Sequence, residues 1–221
     1  MEDENARFIW RVYRWMSLGL GLTGLTAMMV ASSPQALSLV FGNRFVFYAL
    51  LLAELAMVWT FSTIARKASV TVAMALFLTY AITNGVTMAV VFLIYTARSI
   101  ADVFLICTGM FAAMSFYGSV TKKDLTSVGS FSIMGLFGII LAGIVNLFVR
   151  SDMMSFVIAC LGVVVFVGLT AYDTQKIKAM NVIGNEGTDD DTKEALNGAL
   201  VLYLDFINLF LMLLRLLGKR R

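Results

Sequence analysis

The chain predicts an all-α membrane protein of seven spans, on three observations. Sixty percent of its 221 residues are apolar, 14% are charged and one is proline, a balance outside that of water-soluble domains. Apolar runs of about 20 residues, the length of a helix crossing a bilayer, recur along the chain. The last of them, residues 200–217 (LVLYLDFINLFLMLLRLL), nevertheless carries Asp205, Asn208 and Arg215.

At 100° per residue, Asn197, Asp205, Asn208 and Arg215 fall at about 0°, 80°, 20° and 0°, one stripe on an otherwise apolar helix. A carboxylate in hydrocarbon costs at least ~2.5–3.5 kcal/mol, so the stripe is expected to face protein or a water-filled cavity. The last helix is therefore expected to lie among the others, with Asp205 at the centre of the assembly.

Residues 1–14 mix acids with Arg7, Arg11 and Arg14. They lack the basic start, apolar middle and cleavage site of a signal peptide, so the first span is expected to be retained. One integral-membrane domain, 1–221, is expected, with spans at about 15–31, 45–64, 70–95, 103–120, 125–149, 153–173 and 195–217. Gly19, Gly21 and Gly24 in the first span should permit close helix approach, and Gly138, Ala142 and Asn146 in the fifth form a small-residue contact stripe. Thr79, Thr83, Asn84 and Thr87 in the third should prefer partner helices to lipid. The polar segment 174–193 separates the last two spans.

Lys and Arg concentrate in alternate connections (Arg7, Arg11, Arg14; Arg66, Lys67; Lys122, Lys123; Lys176, Lys178, Lys193) and are single in the others (Arg44, Arg98, Arg150). The positive-inside rule then puts the amino terminus in the cytoplasm. Seven full spans would leave Arg215, Lys219, Arg220 and Arg221 outside, against the same rule. Either the earlier spans dominate orientation, or the seventh segment enters and turns back.

Histidine is absent, which removes His-based metal sites, Ser-His hydrolysis and imidazole relays. Cys107 and Cys160 lie in apolar segments and read as small buried hydrophobes without a disulfide framework. A net charge of +3 is too small to argue for nucleic acid. No cofactor and no catalytic residue are expected; the lipid bilayer is the expected surrounding.

The segment 174–193 folds the last two helices back as antiparallel neighbours. Asp173 lies about 25 Å along its helix from Phe156 and Asp205 roughly 10–15 Å into the next, compatible depths. If they meet away from water they share one proton, which makes the pair a pH-sensitive latch. Their oxygens are also candidate calcium ligands, calcium being a hard cation. Glu54 is a further acceptor, Asn208 a candidate polar group for an ion pathway, and Arg66 a competing cation. Plainer readings stand beside these: Asp173 as an interfacial helix end, Glu54 as a structural hydrogen-bonding group, Arg66 as a positive-inside anchor. Asp189, Asp190 and Asp191 lack the alternating ligands and central glycine of an EF-hand. With Glu194 three residues after Asp191, they read as a capping box opening the last helix.

The segments 168–178 (GLTAYDTQKIK) and 202–210 (LYLDFINLF) resemble the signature of the Bax-inhibitor, or transmembrane Bax inhibitor motif, family. The segment 118–124 (GSVTKKD) and the chain length agree, and the tail LLRLLGKRR is similar to that of Gram-negative inner-membrane members. The resemblance implies six helices wrapped around a central seventh and a pH-sensitive calcium leak. It implies that the pair matched by Asp173 and Asp205 is the sensor and that a glutamate matched by Glu54 lines the path. The competing arginine of the family matches Arg66 after a one-residue shift, so Lys67 remains open. Some relatives regulate a membrane protease.

The expected function is thus a pH-sensitive calcium leak of the bacterial inner membrane, with calcium and protons as its ions. One alternative is a membrane-embedded regulator that binds a partner protein such as a membrane protease. A minor alternative is an intramembrane aspartyl protease, suggested by Tyr172 preceding Asp173. Against it, Leu202, Tyr203 and Leu204 precede Asp205 where a glycine motif is required, and Pro34 is the only proline.

Overall fold

The structure, a computed structural model, describes residues 2–64 and 67–221. Eight helices and no strand occur among the described residues: α1 (Glu2–Ala31), α2 (Pro34–Phe41), α3 (Arg44–Ile64), α4 (Val70–Ile94), α5 (Ala97–Val120), α6 (Thr126–Val149), α7 (Asp152–Met180) and α8 (Asp189–Leu217). Each of α3 to α8 is long and apolar enough to span a bilayer, whereas α1 and α2 pass that test only as a pair, bent by 100°. The protein is an all-α membrane protein.

Local chemistry sets the boundaries. Ser33 accepts the Ala36 amide and Pro34 opens α2, so the chain turns at 32–33. Ser69 and Thr96 cap α4 and α5 in the same way. Asp124 accepts both the amide and the hydroxyl of Thr126 (2.8 and 2.6 Å) before α6, bonds that hold its carboxyl below the usual carboxylate range. Several boundaries differ from the sequence expectation: α1 starts at Glu2 and α5 at Ala97, ahead of the expected 15 and 103, and both ends of the connection between α7 and α8 move. Helix α7 continues seven residues past Asp173, because Thr174 and Ile177 stay buried and carry its inner face on to Met180. Helix α8 opens at Asp189, capped by Thr188 Oγ1 on the Asp191 amide (3.2 Å), so the cap lies three residues before the expected one.

The chain divides into two compact units. The first comprises Met1–Tyr95, Met180–Tyr203 and Arg221; the second, Thr96–Ala179 and Leu204–Arg220. In the first, α1 lies along α4, with Trp15 edge-on to Phe77 (6.2 Å between ring centroids). A Cβ on Gly19 would meet Phe77 at 2.8 Å, so that glycine does serve close approach, whereas Gly21 and Gly24 face open space.

In the second unit α7 is the shared neighbour. Gly118 of α5 sits against the Ala171 carbonyl, Gly129 of α6 against the Tyr172 ring, and Ser132 against Gly168. Of the expected stripe of Gly138, Ala142 and Asn146, only the last two are half-buried and only Asn146 bonds a neighbouring helix. Gly138 is exposed with nothing near it, and Asn146 bonds Ser155 (2.7 Å). Replacing Gly118 by Ala is expected to cost ~1–3 kcal/mol, since its Cβ would approach a backbone oxygen that cannot move aside. Gly138→Ala should be neutral or stabilising by up to ~1 kcal/mol. Thermal unfolding in detergent compares the two.

The same unit shows that the last helix does not turn back. The Thr96 amide donates to the Lys219 carbonyl (3.1 Å) and the Lys219 amide to Ser99 Oγ (2.9 Å), at the start of α5. Lys178 Nζ reaches the Ser119 carbonyl (2.8 Å) at the other end of α5. The basic tail therefore lies at the opposite end of α5 from the end of α7.

Candidate functional site

Asp173 and Asp205 both belong to the second unit, where α5 and α7 fix the surroundings of the pair. Ser115 and Thr174 share a hydroxyl–hydroxyl hydrogen bond of 2.8 Å, and Thr174 donates back to the Thr170 carbonyl (2.7 Å), so this polar face of α7 is held against α5. Asp205 is 6% exposed and Asp173 half-buried. Their carboxyl groups come within hydrogen-bonding reach of each other, while Asp205 Oδ2 is buried with no partner. Two carboxyls that feel each other's charge away from water do not both ionise readily. Phe206, next in sequence, packs edge-on against Phe104 and Phe111 (5.5 and 5.4 Å between ring centroids). Lys176, its ammonium 5.7 Å from the Tyr172 ring centre, acts electrostatically on Asp173. Among the described residues no third acidic or thiol side chain joins the two to make a three-ligand cluster.

Glu54 lies in the first unit and is held by α4. Thr87 donates to its Oε1 (2.7 Å) and Asn84 Nδ2 to its Oε2 (3.3 Å). Asn84 Oδ1 accepts from the Tyr203 hydroxyl (2.9 Å), which in turn meets Thr23 Oγ1 (2.6 Å). Of the four polar residues expected to seek partners on this span, Asn84 and Thr87 do so, while Thr79 is exposed and Thr83 bonds its own helix.

The family model described as "Inhibitor of apoptosis-promoting Bax1" matches residues 5–221. The chain belongs to the Bax-inhibitor family. It is 46% identical over 212 residues to inner membrane protein YbhL of Escherichia coli (strain K12), covering 96% of this chain and 91% of that one. It is 44% identical over 215 residues to an uncharacterized protein of Borreliella burgdorferi (97% and 93%). The uncharacterized protein RP147 of Rickettsia prowazekii is 44% identical over 221 residues (99% and 92%).

Within this Bax-inhibitor family member the remaining candidates are scattered. Asn208 is half-buried and spends its amide on the Leu204 carbonyl of its own helix (2.8 Å). Arg215 is exposed on the last turn of α8, so the polar stripe faces inward only at Asp205 and partly at Asn197 and Asn208. Arg66 lies outside the described residues; its neighbour Lys67 is exposed.

A cluster missed in the sequence staples the connection 181–188 to α1. Arg7 grips Glu186 with two bonds (2.8 and 2.9 Å), and Arg11 bridges Glu186 (3.1 Å) and Asp191 (2.9 Å). Buried Asp191 also accepts the Gly187 amide (2.9 Å). Gly184 and Gly187 take positive φ of 93° and 83°, turns that a side chain would strain. The hydrogen bond from Arg7, with Arg11 beside it, holds the Glu186 carboxyl below the usual carboxylate range.

A carboxyl with a lowered folded-state value adds stability that is present above its unfolded value of ~4.3 and is lost as pH falls through the folded one. Amide exchange in 181–188, corrected for the intrinsic pH effect, is therefore expected to rise as the solution is acidified below ~4.3. Glu186→Gln should remove that step; an unchanged step in the variant would assign it elsewhere.

Proposed function

We propose that the chain is a pH-sensitive calcium leak of the inner membrane, gated by the Asp173–Asp205 pair. The observation that carries the reading is a carboxyl buried on α8, one oxygen unpartnered, beside a second carboxyl on α7. While a proton is shared, α7 and α8 are tied at that level. Its loss leaves two negative charges in a poorly hydrated place, which drives the helices apart or draws in a cation. Calcium, accepting carboxylate oxygens and completing its shell with carbonyls and water, suits such a passage as cargo. The same reading takes Glu54 and Asn208 as ion-pathway residues and Arg66 or Lys67 as the competing basic residue, each to be tested by substitution. In this reading the amino terminus is cytoplasmic and the tail lies outside.

The experiment is calcium entry into liposomes containing the purified protein, followed across a pH series against empty liposomes. A leak above the empty control that changes with pH supports the reading. No leak at any pH removes it and leaves a regulator that acts by binding a membrane partner, which stoichiometric co-purification would then identify.

A further inference from the structure

Four helices of the first unit meet in one chain of buried polar groups: Thr23 on α1, Tyr203 on α8, Asn84 and Thr87 on α4, and Glu54 on α3. The hydroxyl protons in it are fewer than the contacts. Thr23 Oγ1 lies 2.9 Å from the Ala81 carbonyl and 2.6 Å from Tyr203, whose hydroxyl is also 2.9 Å from Asn84 Oδ1. Two protons must serve three contacts, since each hydroxyl carries one. Thr87 is in the same position, with one proton between Glu54 Oε1 (2.7 Å) and the Asn84 carbonyl (2.9 Å). With the Asn84 oxygen toward Tyr203 one of the three contacts is left without a proton; with the amide turned over, its NH2 supplies the third and all are met.

Glu54 can make the choice. Ionised, it only accepts, so Asn84 turns its NH2 toward it and its oxygen toward Tyr203, which must then donate to Asn84. Protonated, Glu54 can donate to the Asn84 oxygen; the amide turns over, its NH2 faces Tyr203, and Tyr203 must accept there and give its own proton to Thr23. Thr23 then donates to the Ala81 carbonyl, which completes the second arrangement. Tyr80 and Tyr203 both feel the charge of Glu54, and neither supplies a cation.

We propose that Glu54, Asn84, Tyr203 and Thr23 form a reversible hydrogen-bond relay, in which the proton on Glu54 sets the amide orientation of Asn84 and so the donor or acceptor role of Tyr203 on α8. Asn84 and Tyr203 are positioning residues in this device. The inference does not depend on calcium passage.

The test is ultraviolet resonance Raman of the full-length protein in vesicles, with the Tyr203 signal isolated by subtracting Tyr203→Phe and the carboxylic-acid stretch of Glu54 followed by infrared. The expected result is that Tyr203 changes from donor to acceptor over the same pH range in which the Glu54 acid band grows. Glu54→Gln should remove the acid band and hold Tyr203 in one state at every pH. Thr23→Val, which leaves the Glu54–Asn84 contact intact, should retain the band and blunt the Tyr203 response. A Tyr203 signature that ignores pH while the Glu54 band grows overturns the relay, as does a Tyr203 step that survives in Glu54→Gln. The first comparison needs only the parent protein and Tyr203→Phe, so a Glu54 variant that fails to fold does not protect the proposal.

Discussion

Asp205→Asn is expected to flatten the pH dependence of calcium entry. A gate moved by one proton can change its open-to-closed ratio up to tenfold per pH unit, equivalent to ~1.36 kcal/mol. The substituted side-chain amide carries a permanent donor and can hold Asp173 at every pH, so less than a twofold change across the same range is expected. The geometry that makes this sharp is burial: Asp205 is 6% exposed and its Oδ2 has no partner, so under the proposed gate the proton shared with Asp173 is the interaction that the substitution would replace. Asp173→Asn should act in the same direction from the other helix. The measurement is vesicle calcium entry at matched protein density, and a variant profile that still tracks the parent would remove the pair as sensor.

Arg11→Met is expected to give the largest loss of stability, ~3 kcal/mol or somewhat more, because it leaves the Asp191 carboxylate buried without its cation. The Asp191 side chain is 1% exposed and that of Arg11 24%, so the pair is dry on the acidic side and wet on the basic one. That asymmetry puts the cost at the low end of the usual range. Adding Asp191→Asn should recover most of the loss, since the amide oxygen can still accept from Gly187. Thermal unfolding and protease cleavage within 181–188 give the two readouts; an Arg11→Met protein as stable as its parent would mean that the buried charge finds another partner.

The membrane-spanning character and the burial of Asp205 were legible in the sequence for a simple reason. A charged residue in a long apolar helix is costly, and the cost points to where it must go. Residues without that cost were silent. Tyr203 and Thr23 are ordinary occupants of a membrane helix, and no periodicity marks them as partners of Asn84. Arg11 and Asp191 are 180 positions apart, and each has a local explanation, one as a topology charge and the other as a helix start. The stripe at Gly138 misled because α6 is apolar around its whole circumference, so small-residue spacing could not tell the inward face from the lipid face. The inward face is marked instead by Gly129, Ser132 and Ile139, the residues of α6 that are buried.

The most direct test of the account compares calcium entry across pH in four proteins side by side: parent, Asp173→Asn, Asp205→Asn and the double variant. Groups that act as one unit are non-additive. The account predicts that each single variant flattens the profile and that the double variant is no flatter than either. Effects of the two substitutions that simply add, or a single variant with the full pH dependence of the parent, would contradict a shared-proton gate.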